Sequence, residues 1–235
     1  MELSNLLPRY GEAFLRLFYP SFCATCHELL ELKERGLCPA CRENLQKLKF
    51  FPSEERIRLS LAYSDEGWGL FRYEDSVKEV LHKIKFGRRR DLLRIFVEEM
   101  ASFLRRRPQL SAYDWIMPIP LDPRRRPERQ FNQSGLLAEK IHKILREKKG
   151  PRLDQTVLVK RRSTFPQSLL GREGRRLNLD RVFQVPHPRR IQGCSILLVD
   201  DIFTTGATFE EAAKTLKLAG AARVGFLALA RVLSN

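Results

Sequence analysis

One short segment, ILLVDDIFTTGAT at residues 196–208, restricts the fold of this 235-residue chain more than any other. It opens with four consecutive large apolar residues, the pattern of a strand buried on both faces. Asp200 and Asp201 follow directly, and a loop of small residues then leads into residues 209–219, which predict a helix ended by Gly220. Ligands of open α/β sheets bind beyond the carboxyl ends of such strands. The segment therefore predicts an α/β fold with a ligand site at the acidic pair.

The loop after the acidic pair has the composition of an anion site. Gly206 is free to adopt a positive φ, and its small neighbours leave backbone N–H groups accessible at the start of a helix. Because two carboxylates would repel a phosphate at contact, we expect them to face a part of the same ligand that offers hydroxyl groups or a divalent cation. A ribose 5-phosphate meets both demands. The predicted phosphate-binding residues are Thr204, Thr205, Gly206, Ala207 and Thr208.

Two other interpretations of this segment are weaker. A Walker B strand also ends in carboxylates, but the sequence contains no G-x-x-x-x-G-K-[ST] loop, which disfavours a P-loop ATPase. Asp and Thr also cap helices that bind no ligand. The complete succession of strand, paired acids, Thr-Thr-Gly and helix favours a ligand site over simple capping.

Four of the five cysteines form two closely spaced pairs, Cys23 with Cys26 and Cys38 with Cys41. Two residues between paired thiolates allow both sulfurs to reach one metal from a tight turn, and two such turns complete a tetrahedral four-thiolate shell that suits Zn²⁺. A redox pair needs a single C-x-x-C within a sheet, whereas here two pairs share a short segment with little core of its own. We therefore predict a structural zinc site with these four ligands. Cys194, the fifth cysteine, is expected to be a small buried apolar residue.

The chain is strongly basic. It has 43 Lys and Arg against 28 Asp and Glu, a formal net charge of +15. Such a surface attracts polyanions, including nucleic acids, phosphorylated metabolites and anionic membranes. Dispersed basic residues usually form a solvated surface, but many of these arginines are clustered, which favours a phosphate-rich partner. The clusters lie at residues 88–90, 105–107, 124–126, 161–162, 175–176 and 189–190.

Strand-like and helix-like segments alternate along most of the chain, which predicts an α/β domain with a mainly parallel sheet. A polar link at 47–59 separates this domain from the cysteine pairs, so we predict an N-terminal helix and zinc module at 1–50 and the α/β domain at 60–235. Further predicted strands lie at 115–120, 157–159, 182–185 and 224–230, and further predicted helices at 3–18, 76–86, 91–104 and 134–148.

The sequence carries no sign of membrane insertion. No apolar run approaches the roughly 18 residues of a membrane-spanning helix, and the N-terminus does not resemble a cleavable signal peptide. The predicted helix at 3–18 is amphipathic, and we expect it to dock on its own domain rather than on a membrane. The protein is therefore predicted to be cytoplasmic.

At VDDIFTTGAT the chain resembles the type I phosphoribosyltransferases, in which an apolar strand is followed by D-D-x-x-T-T-G-x-T. The resemblance implies that Asp200 and Asp201 are the catalytic-site acids that bind the ribose hydroxyls of 5-phosphoribosyl 1-pyrophosphate. It also implies that residues 204–208 cradle the 5-phosphate, with Mg²⁺ on the pyrophosphate. The expected architecture is a type I phosphoribosyltransferase-like sheet with flanking helices, joined to a small N-terminal zinc module.

Four further segments narrow the resemblance. FYPSFCATC with CPAC, YEDSVKEVLHKIKF, PIPLDPRRRPERQFNQSGLLA and STFPQSLLGREGRRLN occur in the order seen in the ComF/ComFC competence proteins. This likeness covers nearly the whole chain. Proteins of that family are associated with natural transformation, in which single-stranded DNA is taken up. The resemblance thus implies a ComF-like role in DNA uptake, with single-stranded DNA and proteins of the competence machinery as partners.

One motif departs from the family pattern. Where the family usually has Arg-Gly-Phe-Asn-Gln, this chain has Gln130 after Arg129, and Gln resists backbone conformations that are open to Gly. We expect Arg129 to approach the pyrophosphate, because a guanidinium suits bidentate phosphate contact. A third family motif is matched by Thr164, Gln167, Arg175 and Asn178, for which the residues themselves indicate no mechanism.

Three functions are consistent with these features. A binding protein would carry single-stranded DNA on its basic surface, with an affinity that falls steeply as salt rises. An enzyme would transfer the phosphoribosyl group to a nitrogen nucleophile and release pyrophosphate, although no residue identifies the acceptor base or the general base. A sensor would bind the sugar pyrophosphate and alter a protein partner.

Overall fold

A computed structural model describes residues 18, 20–57, 61–87, 89–122, 131–146, 150–160 and 182–233 of the chain. These residues form seven strands and five α-helices. The strands are β1 (Glu66–Arg72), β2 (Trp115–Pro118), β3 (Arg152–Leu153), β4 (Val159–Lys160), β5 (Phe183–Gln184), β6 (Ser195–Phe203) and β7 (Arg223–Arg231). The helices are α1 (Pro39–Lys47), α2 (Asp75–Phe86), α3 (Arg94–Arg105), α4 (Gln133–Arg146) and α5 (Ala207–Leu218), and 3₁₀ turns occupy Arg90–Leu93, Pro108–Ala112 and Pro188–Arg190.

Five of these strands form one parallel sheet in the order β1-β7-β6-β2-β3, and β4 pairs with β5 in a separate antiparallel pair. The predicted α/β class, with a mainly parallel sheet and flanking helices, is confirmed. β6 and β7 pair along their whole length, from Ser195 beside Arg223 to Phe203 beside Arg231. The predicted strand at 196–199 is therefore too short, because β7 continues to pair with β6 beyond it.

The strand order places a crevice between β2 and β6. From β2 the chain moves outward to β3, whereas from β6 it moves outward to β7 on the other side. The connections that leave the carboxyl ends of these two neighbouring strands diverge, and such a point is where open α/β sheets form their ligand crevices. β2 ends at Pro118, in register with Val199, so β6 extends past β2 into this crevice.

Both faces of the sheet are buried, as the apolar run in β6 predicts. Leu197 and Val199 pack in a cluster with α2, α3 and α4, whereas Ile196 and Leu198 pack on the other face with α5. All four side chains are completely buried. Because each such burial stabilises the fold by roughly 1.5–3 kcal/mol, the sheet and its two helical layers depend on one another.

Helical spacing predicts the helices better than apolar runs predict the short strands. α2 buries Val77, Val80 and Ile84 as expected, whereas the predicted helix at 91–104 is divided into a 3₁₀ turn and α3. The predicted strand at 157–159 is wrong except at its last residue. Val157 and Leu158 are buried in the apolar cluster on the α5 side of the sheet but do not pair with a strand. Cys194 is half-buried rather than buried. Among the described helices, none is long and apolar enough to cross a membrane.

Two predicted helices are described only in part, the first at one residue and the second over most of its length. The helix expected at 3–18 is described at Phe18 alone, and the predicted helix at 134–148 is described up to Arg146.

The predicted polar link forms part of the sheet's edge. Residues 48–57 run antiparallel to β1, and their backbone N–H groups donate to it, from Phe50 to Leu70 at 2.9 Å and from Ile57 to Gly67 at 2.8 Å. An exposed strand edge invites pairing with other chains. The link therefore covers the outer edge of β1 and ties the cysteine pairs to the sheet.

The cysteine pairs share a core with the α/β domain. Cys23, Leu37 and Leu45 belong to the same buried apolar cluster as α2 and α3. The division into a module at 1–50 and a domain at 60–235 stays a prediction. Within the described residues, the apolar core is continuous between the two parts.

Glu55 holds the covering link in place through an ion pair with two arginines. Its side chain is 1% exposed, and its carboxylate oxygens lie 2.7 Å from Arg106 Nη2 and 2.5 Å from Arg107 Nη2. Glu55→Gln would leave both guanidinium groups without their counter-charge. Since breaking a buried pair costs about 3–5 kcal/mol and Arg106 is partly exposed, we expect the free energy of unfolding in urea to fall by about 2–3 kcal/mol.

Glu98→Gln is the matched control, because Glu98 is an exposed acid of α3 that carries the same charge. Its effect should be below about 0.5 kcal/mol. Equal losses in the two variants would contradict the role assigned to Glu55.

Candidate functional site

The predicted acidic pair lies where β6 extends past β2 into the crevice. Asp200 and Asp201 are within the strand rather than after it, because β6 keeps its pairing with β7 up to Phe203. Asp201 is buried and Asp200 is half-buried. A rigid strand therefore holds both carboxylates at the carboxyl edge of the sheet.

Two residues that the sequence did not identify contact the acidic pair. Ser134, at the start of α4, donates its hydroxyl to Asp200 Oδ1 at 2.5 Å, and the Asp201 N–H donates to the same oxygen at 2.9 Å. Lys85, in the last turn of α2, places its Nζ 2.9 Å from Asp201 Oδ2. Serines at helix starts and lysines at helix ends are common for local reasons, so the sequence offered no signal that separates these two from ordinary terminal residues.

The acidic pair has unusual proton chemistry. Burial and the charge of Asp201 raise the pKa of Asp200 to about 7, although hydrogen bonds from Ser134 and from the Asp201 N–H favour the ionised form. Burial and the same charge also raise the pKa of the Tyr73 hydroxyl. The site thus combines a carboxylate paired with Lys85 and a carboxyl that exchanges its proton near neutral pH. It can accept hydrogen bonds from ligand hydroxyls and can take up a proton.

The predicted phosphate loop lies between β6 and the N-terminus of α5. Gly206 has a φ of +81°, and an added Cβ would approach the ring of Phe203 to 2.9 Å, so the position requires glycine. The first turn of a helix has N–H groups without helical partners and a partial positive charge. The loop therefore has the geometry of an anion site. Its exposed residues are Thr204, Thr205, Ala207 and Thr208.

Contacts on both sides hold this loop in place. The carboxylate of Glu210, in the first turn of α5, accepts hydrogen bonds from the N–H groups of Ala62 at 2.6 Å and Tyr63 at 3.1 Å. Phe203, at the end of β6, stacks parallel to Phe226 of β7 with ring centroids 5.3 Å apart. The loop is thus anchored at its strand end and at its helix end.

The structure does not describe every predicted site residue. Arg129 lies outside the described residues, as do Gln130, Thr164, Gln167, Arg175 and Asn178, so their roles stay predictions. The residues on either side of the Arg129 segment are described. Asn132 Nδ2 donates to Ile119 O at 3.1 Å, which joins the end of β2 to the start of α4 and accounts for Ser134 lying beside Asp200.

The four predicted metal ligands lie close together. The Sγ atoms of Cys23, Cys26, Cys38 and Cys41 are all within 4.8 Å of one another, and Cys26 Sγ is 3.6 Å from Cys38 Sγ. Tetrahedral Zn²⁺ with Zn–S bonds near 2.3 Å requires sulfur atoms about 3.8 Å apart. The four cysteines could therefore hold one zinc ion with only small shifts of their side chains.

The electrostatics of the cluster favour a cation. Burial disfavours the thiolate of Cys23, but backbone N–H groups of Cys38 and Thr25 point at its sulfur from 3.4 and 3.5 Å, and its pKa is lowered to about 7. Burial and the other three thiols raise the pKa of Cys41. Four thiolates repel one another unless a metal ion lies between them, so this donor set suits a soft divalent metal.

Replacing Asp200 by Asn should stabilise the protein above neutral pH. The folded pKa of about 7 lies above the unfolded value near 3.9, so between these values the native state binds the additional proton and stability falls as the pH rises. At about pH 8 the wild type carries the full cost of the buried charge, which Asp200→Asn removes. At about pH 8 we expect the variant to melt at a temperature a few degrees higher, which corresponds to a gain of about 1–3 kcal/mol in the free energy of unfolding. At about pH 5 the gain should be less than half as large.

Asp114→Asn should have the opposite effect and destabilise the protein. Asp114 accepts hydrogen bonds from the N–H and hydroxyl of Ser195, both at 2.7 Å, and they lower its pKa. The Asp114 carboxylate therefore contributes stability at pH values above its unfolded pKa, which is near 3.9. This contribution is lost as the pH falls through the lower pKa of the folded state. This variant should therefore melt at a lower temperature at both pH values. A lower melting temperature for Asp200→Asn at about pH 8 would contradict the raised pKa.

Comparison with solved structures finds a distant neighbour. A purine phosphoribosyltransferase from Pyrococcus horikoshii matches 57% of this chain and 69% of its own chain, with 18% sequence identity and a TM-score of 0.34. No model of a protein family matches the sequence.

Comparison with curated proteins finds relatives along most of the chain. The DNA utilization protein YhgH of Salmonella typhimurium is 30% identical over 92% of this chain and 100% of its own. Competence protein F of Haemophilus influenzae is 27% identical over 91% of this chain and 98% of its own. Competence protein ComFC of Bacillus subtilis is 30% identical over 83% of this chain and 77% of its own. The chain therefore belongs to the family of DNA utilization protein YhgH and the competence proteins F and ComFC, as its motifs predict.

Proposed function

We propose that this protein binds 5-phosphoribosyl 1-pyrophosphate with Mg²⁺ in the crevice between β2 and β6, and that it acts in the uptake or utilisation of DNA. One observation supports the proposed binding of the sugar pyrophosphate. Asp200, Asp201 and the N-terminus of α5 lie on one continuous run of chain, at the point where the connections of β2 and β6 diverge. A ligand with hydroxyl groups close to a phosphate fits both the acids and the loop.

Each group at the crevice has a role in this proposal. Asp200 and Asp201 accept hydrogen bonds from the two ribose hydroxyls. The N–H groups and hydroxyls of residues 204–208 bind the 5-phosphate at the start of α5. Arg129 contacts the pyrophosphate through its guanidinium. Mg²⁺ prefers carboxylate and phosphate oxygens, both of which this site and its ligand offer, and when bound it neutralises charge on the pyrophosphate.

Ser134 and Lys85 orient the acids for the ribose. The hydroxyl of Ser134 contacts Oδ1 of Asp200, which leaves Oδ2 for a ligand hydroxyl. Lys85 contacts Oδ2 of Asp201 and offsets part of its charge, so the neighbouring phosphate site is less strongly repelled. Because each carboxylate oxygen has two lone pairs, the acids keep acceptor capacity towards the crevice.

Transfer of the phosphoribosyl group is the alternative function, and the raised pKa of Asp200 favours it. In this reaction a nitrogen nucleophile bonds to C1 of the ribose, the C1–O bond to pyrophosphate breaks, and the nucleophile loses a proton to a base. A carboxyl with a pKa of about 7 is suited to receive that proton near neutral pH. Release of pyrophosphate in the presence of a series of nitrogen bases tests this alternative directly.

The proposed role in DNA handling is supported by the relatives and by the charge of the chain. The relatives carry the names DNA utilization protein and competence protein. A net charge of +15 favours association with polyanions, and phosphate contacts supply much of the affinity of proteins for single strands. We infer that single-stranded DNA is a partner, together with proteins of the competence machinery.

Zinc is the proposed occupant of the cysteine cluster, with a structural role. Four thiolates complete a tetrahedral shell and leave no open position for a substrate. The cluster also packs against α2 and α3 through Cys23 and its apolar neighbours, so metal binding would stabilise the attachment of this segment to the sheet.

The zinc proposal predicts one metal ion per chain. Purified protein should contain about one zinc by elemental analysis, and Cys41→Ala should lose the zinc and melt at a temperature lower by at least about 10 °C, because the metal contributes folding energy. Cys194→Ala is the control, since Cys194 lies outside the cluster. A metal-free wild type, or equal melting temperatures for the two variants, would contradict this role.

The sugar-phosphate proposal predicts binding that depends on the acidic pair. Calorimetric titration with 5-phosphoribosyl 1-pyrophosphate and Mg²⁺ should give saturable binding to the wild type and at least about a hundredfold weaker binding to Asp200→Asn/Asp201→Asn, because two charged hydrogen bonds of about 1.5–3 kcal/mol each are lost. Asp114→Asn, an acid at the opposite edge of the sheet, should bind normally. Unchanged affinity in the double variant would sink the site assignment.

A further inference from the structure

We propose that a basic groove beside the phosphate loop binds single-stranded nucleic acid through successive phosphates and a stacked base. This inference rests on the proposed role in DNA handling and assigns that role to a surface. The basic groove is a cavity of about 970 Å³ between the covering link, the ends of β1 and β7, and the start of the phosphate loop. Its lining includes Lys47, Phe51, Arg56, Arg72, Arg231 and Thr204.

Two arginines stand side by side at the base of the basic groove. Arg72 of β1 and Arg231 of β7 are register partners, and Phe203 of β6 is the next partner in the same row. Neither arginine forms an ion pair with a carboxylate within the part of the chain that the structure describes. Like charges on directly opposed strand positions repel one another. An anion bound between them would relieve this repulsion, and the row leads directly to Thr204 of the phosphate loop.

Arg231 is held in position before any ligand binds. Its aliphatic stem crosses Gly69, where an added Cβ would lie 3.3 Å from the stem atoms, and its guanidinium lies 4.0 Å above the ring of Phe50. Its Nε is buried and has no hydrogen-bond partner among the described residues. The groove therefore contains a fixed cation with an unsatisfied donor, which is a feature of a binding site rather than of a solvated surface.

The basic groove also has an exposed aromatic side chain. Phe51 is 73% exposed, and its turn is closed by hydrogen bonds from Phe51 N–H to Glu54 Oε2 at 3.1 Å and from Glu54 N–H to Phe51 O at 2.8 Å. Proteins that bind single strands combine such stacking surfaces with cations that follow the backbone. A base stacked on Phe51 would place its phosphates towards the arginines of the groove floor.

The distribution of charge favours a strand over a single nucleotide. Lys47 ends α1, Arg56 lies on the link, and Arg72 and Arg231 lie on two strands, so the cations come from separate parts of the fold. Five basic residues line the groove with Glu54 as the acid among them. Two of the five already form ion pairs, Lys49 with Glu99 at 2.6 Å and Lys47 with the exposed Glu43 of its own helix at 3.0 Å. Cations spread in this way match several phosphates in succession.

The test uses two groove variants and one charge-matched control. Arg72→Gln/Arg231→Met removes the charges of the groove floor and keeps the aliphatic stems, and Phe51→Ala removes the stacking surface at an exposed position where folding is not at risk. Lys143→Gln/Arg146→Gln is the control. These exposed residues end α4, which starts at the carboxyl edge beside Asp200, so the control removes the same two charges from the other edge of the sheet.

Binding is measured by fluorescence anisotropy with labelled oligothymidylate of about 15 nucleotides, near the upper end of known single-strand site sizes, over a series of salt concentrations. Arg72→Gln/Arg231→Met should bind at least about tenfold more weakly at low salt. The slope of its log affinity against log salt concentration should decrease in magnitude by about 1.4, or about 0.7 for each lost phosphate contact. Phe51→Ala should bind about tenfold more weakly with an unchanged slope. The control should change affinity less than about twofold, and all variants should bind 5-phosphoribosyl 1-pyrophosphate as the wild type does.

Contrary outcomes would separate the groove, the choice of single-stranded DNA as partner, and the choice of a strand over a single nucleotide. Unchanged binding of oligothymidylate to both groove variants, or an equal loss in the control, would overturn the groove and leave the proposed role in DNA handling intact. If the wild type did not bind the strand at all, single-stranded DNA itself would be excluded as a partner, whereas the calorimetric titration decides the sugar-phosphate site independently. Thymidine monophosphate that competed as tightly as the strand would overturn the single-strand assignment in favour of a nucleotide site.

Discussion

The parallel pairing of β6 with β7 is the interaction on which the rest of the structure depends. It runs from Ser195 to Phe203 and continues after β2 has ended at Pro118. This additional length carries the acidic pair into the crevice and aligns Arg231 with the start of the phosphate loop. Because both faces of β6 are packed against helices, the strand cannot slide by one residue without exchanging its two buried faces. The pairing therefore determines the positions of the acidic pair and of the start of the phosphate loop together.

Features with a local signal in the sequence could be predicted, and features that depend on distant residues could not. Four apolar residues before Asp200 and two C-x-x-C pairs were sufficient to predict a buried strand and a thiol cluster. The extension of β6 depends on β7, and the hydrogen bond from Ser134 to Asp200 joins residues 66 positions apart. The link was predicted as polar connecting chain because its composition is that of a loop, whereas its position is set by the free backbone groups of β1.

The acidic pair is placed where it opposes stability and where it would support binding of the proposed ligand. Two adjacent carboxylates in a partly buried crevice repel one another, and one cation, Lys85, neutralises only part of their charge. Ribose hydroxyls would replace the water that burial has removed. Native proteins carry such locally unfavourable arrangements at functional sites, where the surrounding structure holds them. In this protein the surrounding structure consists of β6, the start of α4 and the end of α2.

The link at 48–57 gives the cysteine cluster an influence on how copies of the chain behave towards one another. One end of the link follows α1, which carries Cys41, and its remainder closes the outer edge of β1. If the metal were lost and α1 loosened, the link could detach and free a strand edge next to exposed Phe51. Free strand edges pair readily with one another. Metal depletion would then cause self-association through the sheet, so the proposed metal would protect solubility at a surface that it does not touch.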